Sequence, residues 1–338
     1  MLLKVLMVSF ATATLAVSLP QDADAASTKT SSQAVSGKKS AKVSKQYKVA
    51  KSGKKNVRQA SVKKSTRKAA IAQDAGAGLP DLTSLGLPNV KSNAVLVQDQ
   101  TSGEVLFERN SDAVVPIASI TKLMTAMVAL DAHPALDEML EVSEEDIDLL
   151  KGTRSRLTVG TRLSREAMLQ LALMSSENRA ASALSRYYPG GHSAFIAAMN
   201  HKAHELGLVD TRFFDSTGLN PNNVSSARDL AKMVAASARY PLIREFSTTR
   251  DGQFAINGRV QRFNNTNALV SNPEWEIGLQ KTGYTSEAGK CLVMQAWLNQ
   301  KPVVIVLLDS WGKLTRIGDA IRIRRWVEQL AQQAAPQG

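Results

Sequence analysis

The sequence predicts an α+β domain whose antiparallel sheet is assembled from both ends of the folded region, with helices inserted between them. Three observations predict it. Apolar runs with strand character lie near residues 94–108 and again near 277–309, alanine- and leucine-rich segments of helical period fill the interval, and strands do not alternate singly with helices as βαβ units require. No internal repeat interrupts this order.

The 338-residue chain opens with Lys4, an apolar run from Val5 to Leu19, and Ala23-Asp24-Ala25 as a small-x-small cleavage site. That run is short of the roughly 20 residues a membrane span needs, so residues 1–25 read as an export signal removed after Ala25, with retention as an N-terminal anchor the alternative. Residues 26–78 hold Lys, Ser, Ala, Val and Gln with almost no aromatics, a composition that cannot bury enough surface to offset the entropy of ordering. They read as a disordered basic linker. The chain carries a net charge of +12, and 14 Lys and Arg with no acidic residue lie between Ala26 and Gln73, so everything else sums to −2. The basic character therefore belongs to one tail, suited to an anionic cell-wall polymer or lipid headgroups or simply to a solvated spacer, and a nucleic-acid groove in the folded part is not implied. The single cysteine, Cys291, sits in an apolar run and reads as a buried, inert thiol.

The folded domain is expected over residues 79–335. Ala94 to Gln98 and Glu104 to Glu108, joined by Gln100-Thr101-Ser102-Gly103, read as a β-hairpin. Leu123 to Leu130 reads as a helix with Ser119 at or near its N-terminus. Arg165 to Met174, Arg179 to Tyr187, His192 to Leu206 and Ser226 to Ala238 follow as helices, the first two separated by Ser175-Ser176-Glu177-Asn178. After Pro241 the pattern is mixed. Ile277 to Lys281, Cys291 to Leu298 and Val303 to Asp309 read as strands, and Arg316 to Gln332 as a terminal helix.

Ser119 and Lys122 stand three residues apart, nearly one helical turn, so hydroxyl and amine can meet on one face. A serine hydroxyl needs a base, and a lysine serves as one only when its pKa falls from about 10.4 towards neutrality. Alone such a pair is a chance pattern. Two more elements accompany it: Ser176-Glu177-Asn178 in a break between helices, and Lys281-Thr282-Gly283 closing a strand. Together they supply the parts of an acyl transfer: Ser119 as nucleophile, Lys122 as base, Ser176 to relay a proton to the leaving amine, and Lys281 and Asn178 to keep Lys122 neutral and fix the substrate amide. The strand with Lys281, Thr282 and Gly283 can pair with a substrate backbone, Gly283 letting it approach, and the backbone N–H groups of Ser119 and Tyr284 can form an oxyanion hole. This chemistry calls for no metal and no cofactor.

S-x-x-K, S-x-N and K-T-G in this order form a recognised signature of penicillin-interacting serine enzymes. With the blocks Pro116 to Met127, Leu171 to Ala180, Tyr188-Pro189-Gly190-Gly191, Ser226 to Leu230, Lys281 to Thr285 and Gly289 to Met294, the sequence resembles the low-molecular-mass penicillin-binding proteins of the D-alanyl-D-alanine carboxypeptidase family over residues 90–330, and within that family most resembles D,D-endopeptidases of the penicillin-binding protein 7 type. The resemblance implies a penicilloyl-serine transferase fold with the site between a sheet and a helical lobe. It implies hydrolysis of peptidoglycan stem-peptide bonds, most of all D-Ala to diaminopimelate cross-links, and covalent trapping by β-lactams. It also implies a substrate-carboxylate role for Arg316, ten residues before Trp326. The family's added C-terminal β-domain and amphipathic anchor are not expected after the terminal helix. Glu177 replaces the commoner Asp and is expected to point away from the site.

Other readings carry less. His201 and His204 lie three apart on a predicted helix without further clustered ligands, so surface histidines are expected. Glu144, Glu145, Asp146 and Asp148 read as a solvated acidic face, and Trp275, Trp297, Trp311 and Trp326 as core or cleft wall. A class A β-lactamase would need a glutamate in an E-x-x-x-N loop, and Glu205 is followed four residues later by Val209, so β-lactam turnover is expected to be slow. A carboxypeptidase trimming pentapeptide stems is the alternative activity, and a non-catalytic cell-wall scaffold the alternative of another class.

Overall fold

The computed structural model describes residues 81–334 apart from 313. The expected export signal at 1–25 and basic linker at 26–78 lie outside the described residues.

The chain starts with the expected hairpin, β1 (Ala94–Asp99) and β2 (Val105–Arg109), followed by a two-residue strand β3 (Val115–Pro116). A 3-10 turn over Ala118–Thr121 leads into α1 (Lys122–Asp131). Short strands β4 (Met139–Glu141) and β5 (Arg162–Ser164) pair with each other. Helices α2 (Arg165–Met174), α3 (Asn178–Arg186) and α4 (Gly191–Glu205) come next, α2 beginning where the Ser164 hydroxyl accepts from the Ala167 N–H. Strand β6 (Val224–Ser225) pairs with β3, and α5 (Ala227–Ser237) is capped by Ser226. The stretch whose sequence pattern is mixed resolves into α6 (Pro241–Thr248), with proline in its first turn, and the hairpin β7 (Asp251–Ile256) and β8 (Arg259–Asn264). Strands β9 (Ile277–Thr285), β10 (Gly289–Leu298) and β11 (Lys301–Ser310) precede the terminal helix α7 (Thr315–Ala334).

The central sheet has the order β2-β1-β11-β10-β9, antiparallel throughout. Strands from the two ends of the domain thus meet at its middle, where Leu96 faces Val306. Both faces are covered, which is why β10 and β11 read as continuous apolar runs rather than alternating ones. Val304, Val306 and Leu308 point into a core shared with α1, α2 and α5, whereas Val303, Ile305 and Leu307 pack with Ile317, Ile321 and Trp326 of α7. Each such side chain, fully withdrawn from water, contributes about 1.5–3 kcal/mol. The start of β1 is pinned by a buried carboxylate: Asp319 of α7 accepts from the backbone N–H groups of Lys91 and Ser92, from the Ser92 hydroxyl and from Arg322.

Three expectations change. β9 runs on to Thr285, so Lys281-Thr282-Gly283 lies inside the strand rather than closing it, held by pairing of Thr282 with Leu292 and Gly283 with Cys291. The acidic run is only partly a solvated face: Asp146 is 4% exposed, accepts from the Ser143 N–H and pairs with Arg186 at 2.9 Å. Trp311 is neither core nor wall, being 65% exposed, whereas Trp275 and Trp326 are buried.

Candidate active site

Ala118 takes a left-handed backbone conformation, φ +47°, and turns the chain into the 3-10 turn that carries Ser119. Lys122 follows at the start of α1 and is 0% exposed. Its Nζ lies 2.8 Å from Ser119 Oγ, 2.8 Å from Asn178 Oδ1 and 2.6 Å from the Thr217 carbonyl oxygen. A neutral amine has two N–H bonds and one lone pair. Two acceptors and one hydroxyl accommodate it: its N–H groups can donate to Asn178 Oδ1 and the Thr217 carbonyl and leave the lone pair for the Ser119 O–H, whereas an ammonium would donate to all three oxygens. Burial pulls the Lys122 pKa down to about 7, against the opposing pull of Asp215 and Glu177. Desolvation is thus what lowers this lysine.

The second element forms the opposite wall. Ser176 adopts φ +61° in the break between α2 and α3, a conformation uncommon for a residue with a side chain. Its Oγ accepts from Lys281 Nζ at 2.9 Å. Glu177 is directed elsewhere, accepting from Ser155 Oγ at 2.7 Å and lying 3.9 Å from Arg156 Nε. Asn178, the first residue of α3, donates through Nδ2 to Thr153 Oγ1 at 3.1 Å.

The third element is β9, which ends the central sheet and has no further strand on its outer edge among the described residues. Lys281 Nζ also donates to the Thr282 carbonyl at 3.0 Å, and its pKa is held well below the ordinary value by burial first, then by Lys122 and Arg316. Thr282 Oγ1 donates to Thr266 Oγ1 at 2.7 Å. A Cβ on Gly283 would come within 2.9 Å of the Ile117 carbonyl and 3.1 Å of the Ser119 nitrogen, so what glycine admits here is the turn bearing Ser119. Tyr284 is 62% exposed, with Lys290 Nζ 4.8 Å from the centre of its ring. Arg316 Nη1 donates to the Gly283 carbonyl at 2.8 Å, and burial lowers its pKa. The fold therefore brings Ser119, Lys122, Ser176, Asn178, Lys281, Thr282, Gly283 and Arg316 together, with Lys122 and Arg316 close enough for their charges to lower the pKa of Lys281. His201 and His204 lie elsewhere, exposed on α4, with His201 paired to Glu205.

The loop Asp215-Ser216-Thr217-Gly218-Leu219-Asn220 belongs to the site and does not stand out in the sequence pattern. Asp215 Oδ1 accepts from the N–H groups of Thr217 and Gly218 and from Asn223 Nδ2, and its Oδ2 accepts from Thr217 Oγ1 and the N–H groups of Leu219 and Asn220. Six donors on one carboxylate shape the loop that offers the Thr217 carbonyl to Lys122. The available signal was an aspartate followed by Thr and Gly, a turn-forming composition.

A family model described as "D-alanyl-D-alanine carboxypeptidase" matches residues 82–312. The chain is 51% identical to a D-alanyl-D-alanine endopeptidase of Pseudomonas aeruginosa over 248 residues, 72% of this chain and 80% of that one. It is 47% identical to a D-alanyl-D-alanine endopeptidase of Escherichia coli over 259 residues, 76% of this chain and 84% of that one. Among solved structures it superposes on the Streptomyces K15 DD-transpeptidase with a TM-score of 0.66 at 27% identity, over 71% of this chain and 98% of that one.

Proposed function

The chain belongs to the D-alanyl-D-alanine carboxypeptidase family of serine hydrolases, with its penicilloyl-serine transferase fold, and from that premise we propose how its residues act and on what. The substrate is the peptide stem of peptidoglycan, and the bond cut is the D-Ala to diaminopimelate cross-link. The names of the two relatives at 47–51% identity support an endopeptidase. The observation that supports the mechanism is the environment of Lys122 Nζ, a buried amine 2.8 Å from Ser119 Oγ with two acceptors, Asn178 Oδ1 and the Thr217 carbonyl, for the N–H groups of its neutral form.

In this reading Ser119 Oγ attacks the D-Ala carbonyl carbon as its proton passes to Lys122. The backbone N–H groups of Ser119 and Tyr284 receive the negative oxygen. The C–N bond then breaks, and the departing amine takes a proton through Ser176, whose hydroxyl is oriented by Lys281. Water releases the acyl group by the same path in reverse order, with Lys122 again as base. Arg316 and Thr282 hold the carboxylate on the α-carbon of the residue that leaves, and the free edge of β9 pairs with the acyl side of the stem. A β-lactam enters by the same first step and stays on Ser119, because its bulky remainder is not expelled.

Digestion of cross-linked sacculi followed by mass spectrometry of the products tests the reading. Loss of dimeric muropeptides with the wild-type protein and none with Ser119→Ala is the expected result. Release of a single alanine from monomeric pentapeptides with dimers untouched would assign a carboxypeptidase instead, the activity named for relatives at 28–32% identity. No change with either protein would leave the scaffold reading.

We further propose that residues 1–25 direct export to the periplasm and that the basic tract 26–78 tethers the mature enzyme to anionic cell-wall polymer. Retention on sacculi should fall as salt rises from 0.05 to 0.5 M, roughly as screening shortens the reach of surface charge. Equal retention of a chain beginning at residue 79 would remove the tether, and equal binding to anionic lipid vesicles would reassign it.

A further inference from the structure

The two lips of the crevice touch at one more place, away from the reacting groups. Lys151, in the segment between β4 and β5, places Nζ 2.5 Å from Oε1 of Glu287, which lies in the turn between β9 and β10 two residues beyond Thr285. The pair joins the helical side of the crevice to the far end of the strand that carries Lys281, Thr282 and Gly283.

Both ends are anchored. Asp148 accepts from the backbone N–H groups of Leu150, Lys151 and Thr153 and from Thr153 Oγ1, which fixes the segment bearing Lys151. Thr153 Oγ1 in turn accepts from Asn178 Nδ2. Across the gap, the Ala288 N–H donates to Thr285 Oγ1 at 3.2 Å and steadies the turn bearing Glu287.

Taken together these contacts close a ring. It runs from Ser119 through Lys122 to Asn178, by way of Thr153 to Lys151, across the ion pair to Glu287, and back along β9 to Gly283, which packs on the Ser119 turn. A peptide laid along the outer edge of β9 and continuing past Thr285 meets this ring. A small acyl donor needs only the reacting groups, whereas a cross-linked peptide continues into polymer on both sides and must pass this pair to lie along β9.

On the endopeptidase reading above, we propose that Lys151 and Glu287 form a clasp that must part to admit a cross-linked peptide sideways onto β9, and that they thereby set the selectivity between cross-linked polymer and small acyl donors. The weak part of the ring is the right one. Lys151 and Glu287 side chains are 19% and 40% exposed, so solvent partly screens their attraction, whereas Lys122 and Lys281 are buried. Neither Lys151 nor Glu287 is among the hydrogen-bond partners of Lys122 Nζ or Lys281 Nζ.

The test is to lock it. In Lys151→Cys/Glu287→Cys, a bis-maleimide can span the two new thiols, and the native Cys291 is spared because burial pushes its thiol up to about 11. The locked enzyme should be acylated by a fluorescent penicillin within twofold of the wild-type rate yet cleave cross-links in sacculi at least tenfold more slowly than the same variant unlocked. Single-cysteine variants treated with the reagent should cleave normally, and Glu287→Ala should cleave cross-links at least as fast as wild type. Undiminished cross-link cleavage by the locked enzyme overturns the clasp, as does an equal loss of penicillin acylation, which would mark a general distortion. Slower cross-link cleavage by Glu287→Ala overturns it too, since the charge would then be binding substrate. Failure of the wild-type enzyme itself to cut cross-links is a different outcome and overturns the endopeptidase reading.

Discussion

Lys122→Ala should lower the rate of Ser119 acylation by about 10³–10⁴-fold, the upper range for loss of a positioned general base. The substitution removes the base and leaves Asn178 Oδ1 and the Thr217 carbonyl without their buried donor. Lys122→Arg should be as inactive, because a guanidinium does not give up its proton and has no lone pair to offer. The same argument fixes the pH dependence. Only the neutral amine can accept the serine proton, so with a pKa of about 7 acylation should fall about tenfold per pH unit below pH 7 and level off above it. A solvated lysine would be under about 0.1% neutral at pH 7 and its limb would lie three units higher. Stopped-flow acylation with a fluorescent penicillin from pH 5 to 9 reads this directly. A profile flat between pH 5 and 8 would remove Lys122 as the base.

Gly218→Ala should cost about 2–4 kcal/mol of stability and about 100-fold in acylation, an unusual pair of effects for one methyl group. Gly218 has φ +81°, and a Cβ there would lie 2.0 Å from the Ala118 carbonyl oxygen and 2.9 Å from the Ser119 nitrogen. No side chain can yield at such a contact, since both partners are backbone. Either the loop retreats, taking the Thr217 carbonyl from Lys122, or the turn bearing Ser119 shifts. Gly207→Ala is the matched control. Its φ is +64° but its Cβ direction is open, so the strain of about 1 kcal/mol should appear without loss of acylation. Urea denaturation together with acylation kinetics separates the two. Wild-type acylation in Gly218→Ala would show that the Asp215 loop does not position the reacting pair.

Much of this was legible in the chain. The sheet strands announce themselves because burial on both faces demands uninterrupted apolar runs, as in Val303 to Leu308, and α2 appears over its full length because its period and its Ser164 cap are local features. Ser119, Lys122, Ser176, Asn178 and Lys281 are visible because acyl transfer restricts which residue types can serve at each place. Less visible were features that depend on distant partners. Pro241–Thr248 is a helix whose apolar side is set by what it packs on, and Asp146 looked like surface charge until Arg186, forty residues on, met it.

The sequence by itself determined the fold class, the order along the chain of the five strands of the central sheet, and the candidate pair of Ser119 and Lys122. Tertiary structure alone decided how that lysine is buried and what surrounds its amine. Burial at the junction of α1, α3 and the Asp215 loop strips water from Lys122, and a carbonyl 95 residues away takes one of its hydrogens. Desolvation and long-range hydrogen bonds arise only when separated segments close around a group, so no window of sequence around Ser119 and Lys122 contains them.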